Sequence, residues 1–217
     1  MWIRLQRHCV RFSPSMGFFR RVERMSSTPS FAEAPPDLLP FGWQGDGCPP
    51  LEIDVGCHKG RFLVEMARRF PFANFLGIER QRERVFKARK KIAREGLNNA
   101  EVFHGDAHEV LNSLPDTCAD YVHVLFPDPW PKRRHKNRRI VGPAFLVEVS
   151  RLLKAGGRLR LVTDDPDYAR AMESHTTSIS RYRRIESEAC DYPPTEFQLK
   201  FVAVSRPIFR LLFERLS

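Results

Sequence analysis

No apolar run in the 217 residues approaches the roughly 20 that span a bilayer, which argues against a transmembrane helix. No two of the five cysteines, Cys9, Cys48, Cys57, Cys118 and Cys190, form a C-x-x-C pair, and their number is odd. A disulfide framework and a structural zinc site are therefore not expected, and a reducing compartment is. No internal repeat is present. Negative charge is also short: 26 Asp and Glu stand against 36 Lys and Arg, a formal net charge of +10. That deficit speaks to partners, not to fold. A polyanion is the natural partner, and nucleic acid comes before membrane because no amphipathic anchor stands out. What remains is ordinary globular composition, 42% apolar and 29% charged. The length suffices for one α/β domain with a well-buried core.

The first stretch, Met1 to about Met25, is rich in Arg and poor in acids, without clear periodicity. Three readings compete: an organelle transit peptide, a basic arm that helps hold RNA, or sequence ahead of a true start at Met25. The last two are favoured. Ser26–Pro50 is Pro-rich and reads as a linker. The expected division is a poorly ordered basic extension and linker over 1–44, and one domain over 45–217. Deleting Met1–Arg24 is expected to leave the fold and its ligand binding intact. If the segment is an arm, nucleic-acid affinity falls and its salt dependence flattens. A drop in thermal stability of the truncated protein would show the segment to be part of the fold.

After Pro50 the pattern becomes regular. Leu51–Gly56, Asn74–Glu79, Ala100–Asp106, Tyr121–Phe126 and Arg158–Thr163 read as strands. Arg61–Phe70, Gln81–Glu95, Pro143–Leu153 and Pro166–Ser174 read as helices, with Gly156–Gly157 ending the third. His104 and His108 have the spacing of metal ligands on a helix, but their segment reads as a strand end and a turn, so no metal is expected. Ile185–Ala189 and Ile208–Glu214 read as a C-terminal antiparallel hairpin on the sheet edge. Alternating strands and helices imply a mostly parallel sheet with helices on both faces. Right-handed crossovers then place the strand C-terminal ends along one edge, where ligands bind.

The residues at those ends carry the functional reading. Asp54-Val55-Gly56-Cys57-His58-Lys59-Gly60 keeps only part of a G-x-G-x-x-G fingerprint, so an ordinary turn remains an alternative. Glu79 can accept hydrogen bonds from both hydroxyls of a ribose, or can be a surface acid. Asp106 can reach the exocyclic amine of an adenine, or can cap the next helix. The fourth end is the most unusual: Phe126-Pro127-Asp128-Pro129-Trp130-Pro131, then a cationic run from Lys132 to Arg139. Prolines on either side aim Asp128 at a fixed place. Trp130 offers a π face for a base, and the cationic run suits phosphates rather than only a solvated face. Asp164 closes the fifth strand.

On these residues the chain resembles the bacterial tRNA (guanine-N7)-methyltransferases, a branch of the Rossmann-like class I methyltransferases. The likeness runs from about Leu51 to the C-terminus. Phe126–Arg139 is its most specific piece, with Thr163-Asp164 and Thr195–Gln198 following in order. The resemblance implies S-adenosylmethionine as cofactor, transfer of its methyl group to N7 of a guanine in the variable loop of tRNA, and a bacterial, cytoplasmic protein, with a monomer expected. It implies Asp54, Gly56, Glu79, Asp106 and Asp128 as cofactor contacts and Asp128 as the catalytic residue. Lys132, Asp164, Thr195, Glu196, Phe197 and Gln198 become substrate contacts. Three positions depart from the family pattern. Asp54 stands where Glu is usual, His58 where glycine is usual, and Gln198 where an acid is usual. His58 narrows the cofactor loop, and Gln198 keeps hydrogen-bonding capacity without charge.

Guanine N7 carries a lone pair and no proton, so its methylation needs no general base. Positioning is expected to supply most of the rate, with Asp128 and Asp164 stabilising charge that develops on the ring. Lys132–Arg139 and Arg80–Arg94 would hold the RNA backbone. Three rivals differ in class: a methyltransferase acting on another base or a small amine, a non-catalytic RNA-binding protein on a decayed fold, and a nicotinamide-dependent enzyme. A cofactor titration separates the decayed site from an active one.

Overall fold

The computed structural model describes residue 43, residues 48–186 and residues 192–217. The basic extension, most of the linker, Cys9, Cys190 and the outer end of the strand expected over Ile185–Ala189 lie outside the described residues. Trp43 sits on the extension's side of the expected boundary at residue 45, yet it is buried in the core.

Strand β1 (Leu51–Val55) leads through a turn into α1 (Arg61–Arg69), followed by β2 (Asn74–Glu79) and α2 (Arg82–Arg94). Every residue of β1 and β2 is buried, the pattern of parallel strands covered on both faces. Helix α1 buries Phe62, Leu63, Met66 and Ala67, the positions that repeat at helical spacing. A Cβ built on Gly60 would lie 2.8 Å from the Cβ of Ala88. Only glycine lets α1 start this close to α2.

Next come β3 (Ala100–His104), α3 (Ala107–Ser113), β4 (Ala119–Leu125), a 3-10 helix (Arg133–Arg138), α4 (Pro143–Leu152) and β5 (Leu153–Thr163). The turn expected around His108 is instead the short helix α3. Asp106 caps it, accepting from the main-chain N–H of His108 at 2.9 Å. Strand β5 follows α4 directly, ahead of the glycine pair expected to separate them. The β4–β5 register shifts between Ala119 and Tyr121, and Gly156 takes a φ of +76°. The glycines thus serve a bulge inside the strand pairing rather than a helix stop.

The chain ends with α5 (Pro166–Thr177), β6 (Tyr182–Ile185), α6 (Glu196–Ala203) and β7 (Phe209–Arg215). Sheet order is β3-β2-β1-β4-β5-β7-β6, with β7 antiparallel to both its neighbours. The last two strands pair antiparallel as expected, but β6 ends at Ile185, where the expected strand begins, α6 lies between the two in sequence, and β7 is the inner strand. Burial explains the order. Leu211, Leu212 and Phe213 of β7 are consecutive and buried, whereas Arg183 and Arg184 of β6 are exposed, which suits an edge.

The sheet's strand order reverses between β1 and β4, which opens a crevice at their C-terminal ends. On one face Ile53, Val122, Leu159 and their neighbours form one core cluster with Phe145, Leu146 and Val149 of α4 and Tyr168 of α5. On the other face α1 and α2 cover β2 and β3. The alternating positions of β1, β4 and β5 carry polar groups instead. Asp54, His123 and Arg160 are cross-strand neighbours, as are Glu52, Tyr121 and Arg158.

Candidate functional site

The turn after β1 folds back onto β2: the N–H groups of Gly56 and Cys57 both donate to the Ile78 carbonyl, at 2.8 and 3.0 Å. Gly56 has φ +79°, and a Cβ built there meets nothing within 4 Å. The backbone is therefore open to a ligand at that point. The next residue but one, His58, is also left-handed, with φ 54°, a conformation a β-carbon disfavours.

Glu79 fixes the turn from below. Its two carboxylate oxygens accept the main-chain N–H of His58 at 3.1 Å and of Gln81 at 2.8 Å. Arg84 lies 3.6 Å away. Each oxygen keeps a further lone pair for a ligand hydroxyl.

A cleft opens at this point. Asp54, Gly56 and His58 line it from the β1–α1 side, Leu125 from the end of β4, and Thr195, Glu196 and Phe197 from α6. Burial dominates its electrostatics. It pushes the Asp54 carboxyl up to about 7, with Arg160 opposing the shift and Glu79 adding to it. Burial likewise raises the Cys57 thiol well above its ordinary range. It lowers His58, with Arg84 acting in the same direction. Both histidines near the cleft are depressed, because burial also lowers His123 although Glu52 accepts from its Nε2 at 2.9 Å.

Thr195 caps α6, accepting the Gln198 N–H at 2.9 Å. The first turn then projects onto the cofactor loop. One Glu196 oxygen lies 3.4 Å from His58 Nδ1 and the other 3.8 Å from Lys91 Nζ. The Phe197 ring stands edge-on to His58 at 5.3 Å. The His58 side chain thus bridges the loop to α6.

The segment after β4 is held in costly backbone geometry. Phe126 and Trp130 have φ of 53° and 41°, each a cost of roughly 1–3 kcal/mol. The fold holds them there. Phe126 N–H donates to the Val162 carbonyl at 2.8 Å and its ring packs on Phe201 at 5.3 Å. Arg138 covers Trp130 at 5.1 Å. Arg139, nearly buried, donates to the Pro129 carbonyl and to Asp167, both at 2.8 Å. Its guanidinium lies 4.5 Å over the Tyr168 ring. Asp128 stands exposed between these anchors, as does Lys132 just beyond.

Arg139 therefore ties the acid–aromatic loop to the start of α5. Hydrogen bonds from Lys136 and then Arg139 lower the Asp167 carboxyl to about 2. A depressed acid stabilises the folded state above its unfolded pKa of about 3.9 and loses that contribution as pH falls toward 2. The acid-induced change in Trp130 fluorescence is expected to move to higher pH in Arg139→Met. An unchanged acid limb would show that the clamp does not hold the loop.

The cleft gathers Asp54, Gly56, Thr195, Glu196 and Phe197, with Glu79 one hydrogen bond behind. Asp106, Asp128, Lys132 and Asp164 lie after their strands on the same edge but do not line the cleft. Asp164 is ion-paired with Arg206, and Gln198 contributes its main-chain N–H to the cap of α6. Sequence reasoning missed the Arg139 clamp and the Arg160–Tyr192 contact. An Arg run offers no sign of which member turns inward, and Arg160 sits in a strand whose alternation only the register reveals. Among the described residues, no group of three or more His, Cys, Asp or Glu could hold a metal ion, and no helix is long and apolar enough to cross a membrane.

Solved structures share this sheet. A precorrin-6y C5,15-methyltransferase from Geobacter metallireducens superposes with a TM-score of 0.55 at 14% identity, over 77% of this chain and 80% of that one. A SAM-dependent O-methyltransferase from Thermotoga maritima gives 0.54 at 16%, over 77% and 60%. These show the fold alone. A family model described as putative methyltransferase matches residues 49–211. The tRNA (guanine-N(7)-)-methyltransferase of Nitrosococcus oceani is 33% identical, covering 93% of this chain and 91% of the relative. That of Yersinia enterocolitica is 38% identical, covering 76% and 72%. Similarity of that extent runs through the crevice, the acid–aromatic loop and α6 alike, and it places the chain in the tRNA (guanine-N(7)-)-methyltransferase family of S-adenosylmethionine-dependent enzymes.

Proposed function

We propose that this protein transfers a methyl group from S-adenosylmethionine to N7 of a guanine in the variable loop of tRNA. It acts as a monomer in the bacterial cytoplasm, where its substrate is. The observation that carries the reading is the loop from Phe126 to Arg139. It is held in left-handed geometry at the sheet's switch point, with an exposed acid, an aromatic face and a cationic run in succession.

The residues present fit the cofactor. Gly56 leaves open space beside its backbone, Glu79 keeps lone pairs for ribose hydroxyls, and Asp54 is a buried acid beside the crevice. When bound, the cofactor supplies a methyl group on a positively charged sulfur, which guanine N7 takes with its own lone pair. Asp54, Gly56 and Glu79 hold the amino-acid and ribose portions, Asp106 the adenine amine, and Asp128 the region between cofactor and base. Lys132, Asp164 and Thr195–Gln198, with Glu196 and Phe197 facing the cleft, hold the RNA. Asp128 also stabilises the positive charge arriving on the guanine ring, which matters most in the transition state.

The deciding experiment incubates the protein with bulk tRNA and cofactor labelled in the methyl group, then identifies the modified nucleoside. The expected product is 7-methylguanosine. A different methylated nucleoside, or labelled small amines with unmodified tRNA, overturns the reading.

Asp54 supplies a pH test. Its carboxyl titrates near 7, while His58 and His123 are both pushed below their usual range. A bound cation favours the ionised carboxylate. Cofactor affinity is therefore expected to rise with pH up to about 7, and to fall roughly tenfold per unit below it. Titration calorimetry between pH 5.5 and 8 reads this directly. The slope should vanish in Asp54→Asn, and a wild-type affinity flat across that range would remove Asp54 as a charge partner.

A further inference from the structure

The polar row beneath the cleft contains a group that the proposed chemistry does not use. Asp54, His123 and Arg160 are adjacent across β1, β4 and β5. Arg160 is 9% exposed, and such burial of a cation is rare without a structural reason. Its guanidinium lies 3.8 Å from the centroid of the Tyr192 ring and 5.9 Å from that of Phe62. Tyr192 also packs on His123 at 5.8 Å. Three residues later Thr195 caps α6, and the two between, Pro193 and Pro194, have fixed φ. The place of the Tyr192 ring is thus carried stiffly to the first turn of α6, where Glu196 and Phe197 meet the cofactor loop.

We propose that Arg160 is a two-ended positioning residue: its guanidinium plane seats Tyr192 and thereby α6, while its charge stands on the same row as Asp54 of the cofactor cleft. The charge end rests on the reading of Asp54 as a cofactor contact. Arg160 opposes the upward shift of the Asp54 carboxyl, which is the direction this role requires. The stacking end rests on geometry alone. An arginine serves both ends where a lysine serves one, because the flat guanidinium stacks on a ring and an ammonium presents only charge. The two binding regions, for cofactor and for RNA, are in this way built on one side chain.

Three variants separate the ends. Tyr192→Ala removes the ring and leaves the buried charge. Arg160→Lys keeps the charge and removes the plane. Arg160→Met removes both. Two readouts need no RNA: amide hydrogen exchange of residues 196–203, and calorimetric titration with S-adenosylmethionine. Exchange in α6 should quicken by about tenfold in Tyr192→Ala and Arg160→Met, consistent with loss of a desolvated cation–π contact, and by less in Arg160→Lys, whose ammonium keeps the charge without the flat stacking surface. Cofactor affinity should fall by about tenfold in Arg160→Met but by no more than about threefold in the other two. Unchanged exchange of α6 in Tyr192→Ala overturns the proposal on its own, and that variant leaves the charge row intact should Arg160→Met fail to fold. Equal cofactor affinity in Arg160→Lys and Arg160→Met overturns the charge end. The nucleoside assay on the unaltered protein is independent of these outcomes, so a wrong substrate and a wrong role for Arg160 are told apart.

Discussion

Replacing Asp128 by Asn is expected to lower turnover by roughly 10²–10³ with a much smaller change in cofactor affinity. The carboxylate is exposed on a loop whose two ends are fixed, by Phe126 on Val162 and by Arg139 on Pro129. Asn at this position has the same size and meets no packed wall, so the loop keeps its place and only the charge is lost. An effect on turnover alone identifies charge stabilisation, because an interaction strengthened in the transition state changes rate rather than ground-state binding. Should affinity and turnover fall together, Asp128 holds the cofactor in the ground state. Asp128→Ala adds the loss of the acceptor and is expected to be worse than Asn. The measurement is single-turnover methylation of tRNA with both substrates saturating, beside cofactor titration of each variant. Rates near wild type in both variants would move the assignment to Asp164. That acid is the weaker candidate on structural grounds, since Arg206 already pairs with it, and part of its charge is spent there.

Much of this site is legible along the chain because its parts are local. The acids at Asp54, Glu79 and Asp106 sit at or just after strand ends, and strand ends are readable from alternation and burial. The cap at Asp106 and the proline-fixed path of Asp128 follow from single residues and their neighbours. What the chain conceals is whatever depends on register or on distant packing. Helix α6 is one case. Its exposed Leu199 and Val202 blur the apolar stripe that would mark a helix, and its place over the cofactor loop is set by Tyr192 on Arg160. The inner position of β7 is another, since the order of two short strands near a C-terminus is settled only by burial, which shows which one is flanked on both sides. His58 lies between these cases. Its place in the turn after β1 is visible in sequence, but its contact with Glu196 and Phe197 is not, because α6 arrives from more than a hundred residues further along.

Glu79→Ala is expected to weaken cofactor binding by roughly 10–100-fold, the scale of about 1–3 kcal/mol for losing a buried acceptor. The structure adds a second consequence. The Glu79 carboxylate already accepts from His58 and Gln81, so its removal also frees two main-chain N–H groups that hold the cofactor turn. A lower thermal midpoint should therefore accompany the lost affinity. Glu79→Gln is the intermediate case. Its single carbonyl oxygen can serve one of those N–H groups, while its amide turns a donor toward the other, so stability and affinity should both fall part of the way. The ribose contact itself is isolated by a cofactor analogue lacking the 2′-hydroxyl. Wild-type protein should discriminate against that analogue, and Glu79→Ala should not, because the partner of the missing group is gone in both. Equal discrimination by the two proteins, with the thermal midpoint still lowered, would assign Glu79 to the turn alone and leave the ribose to other groups.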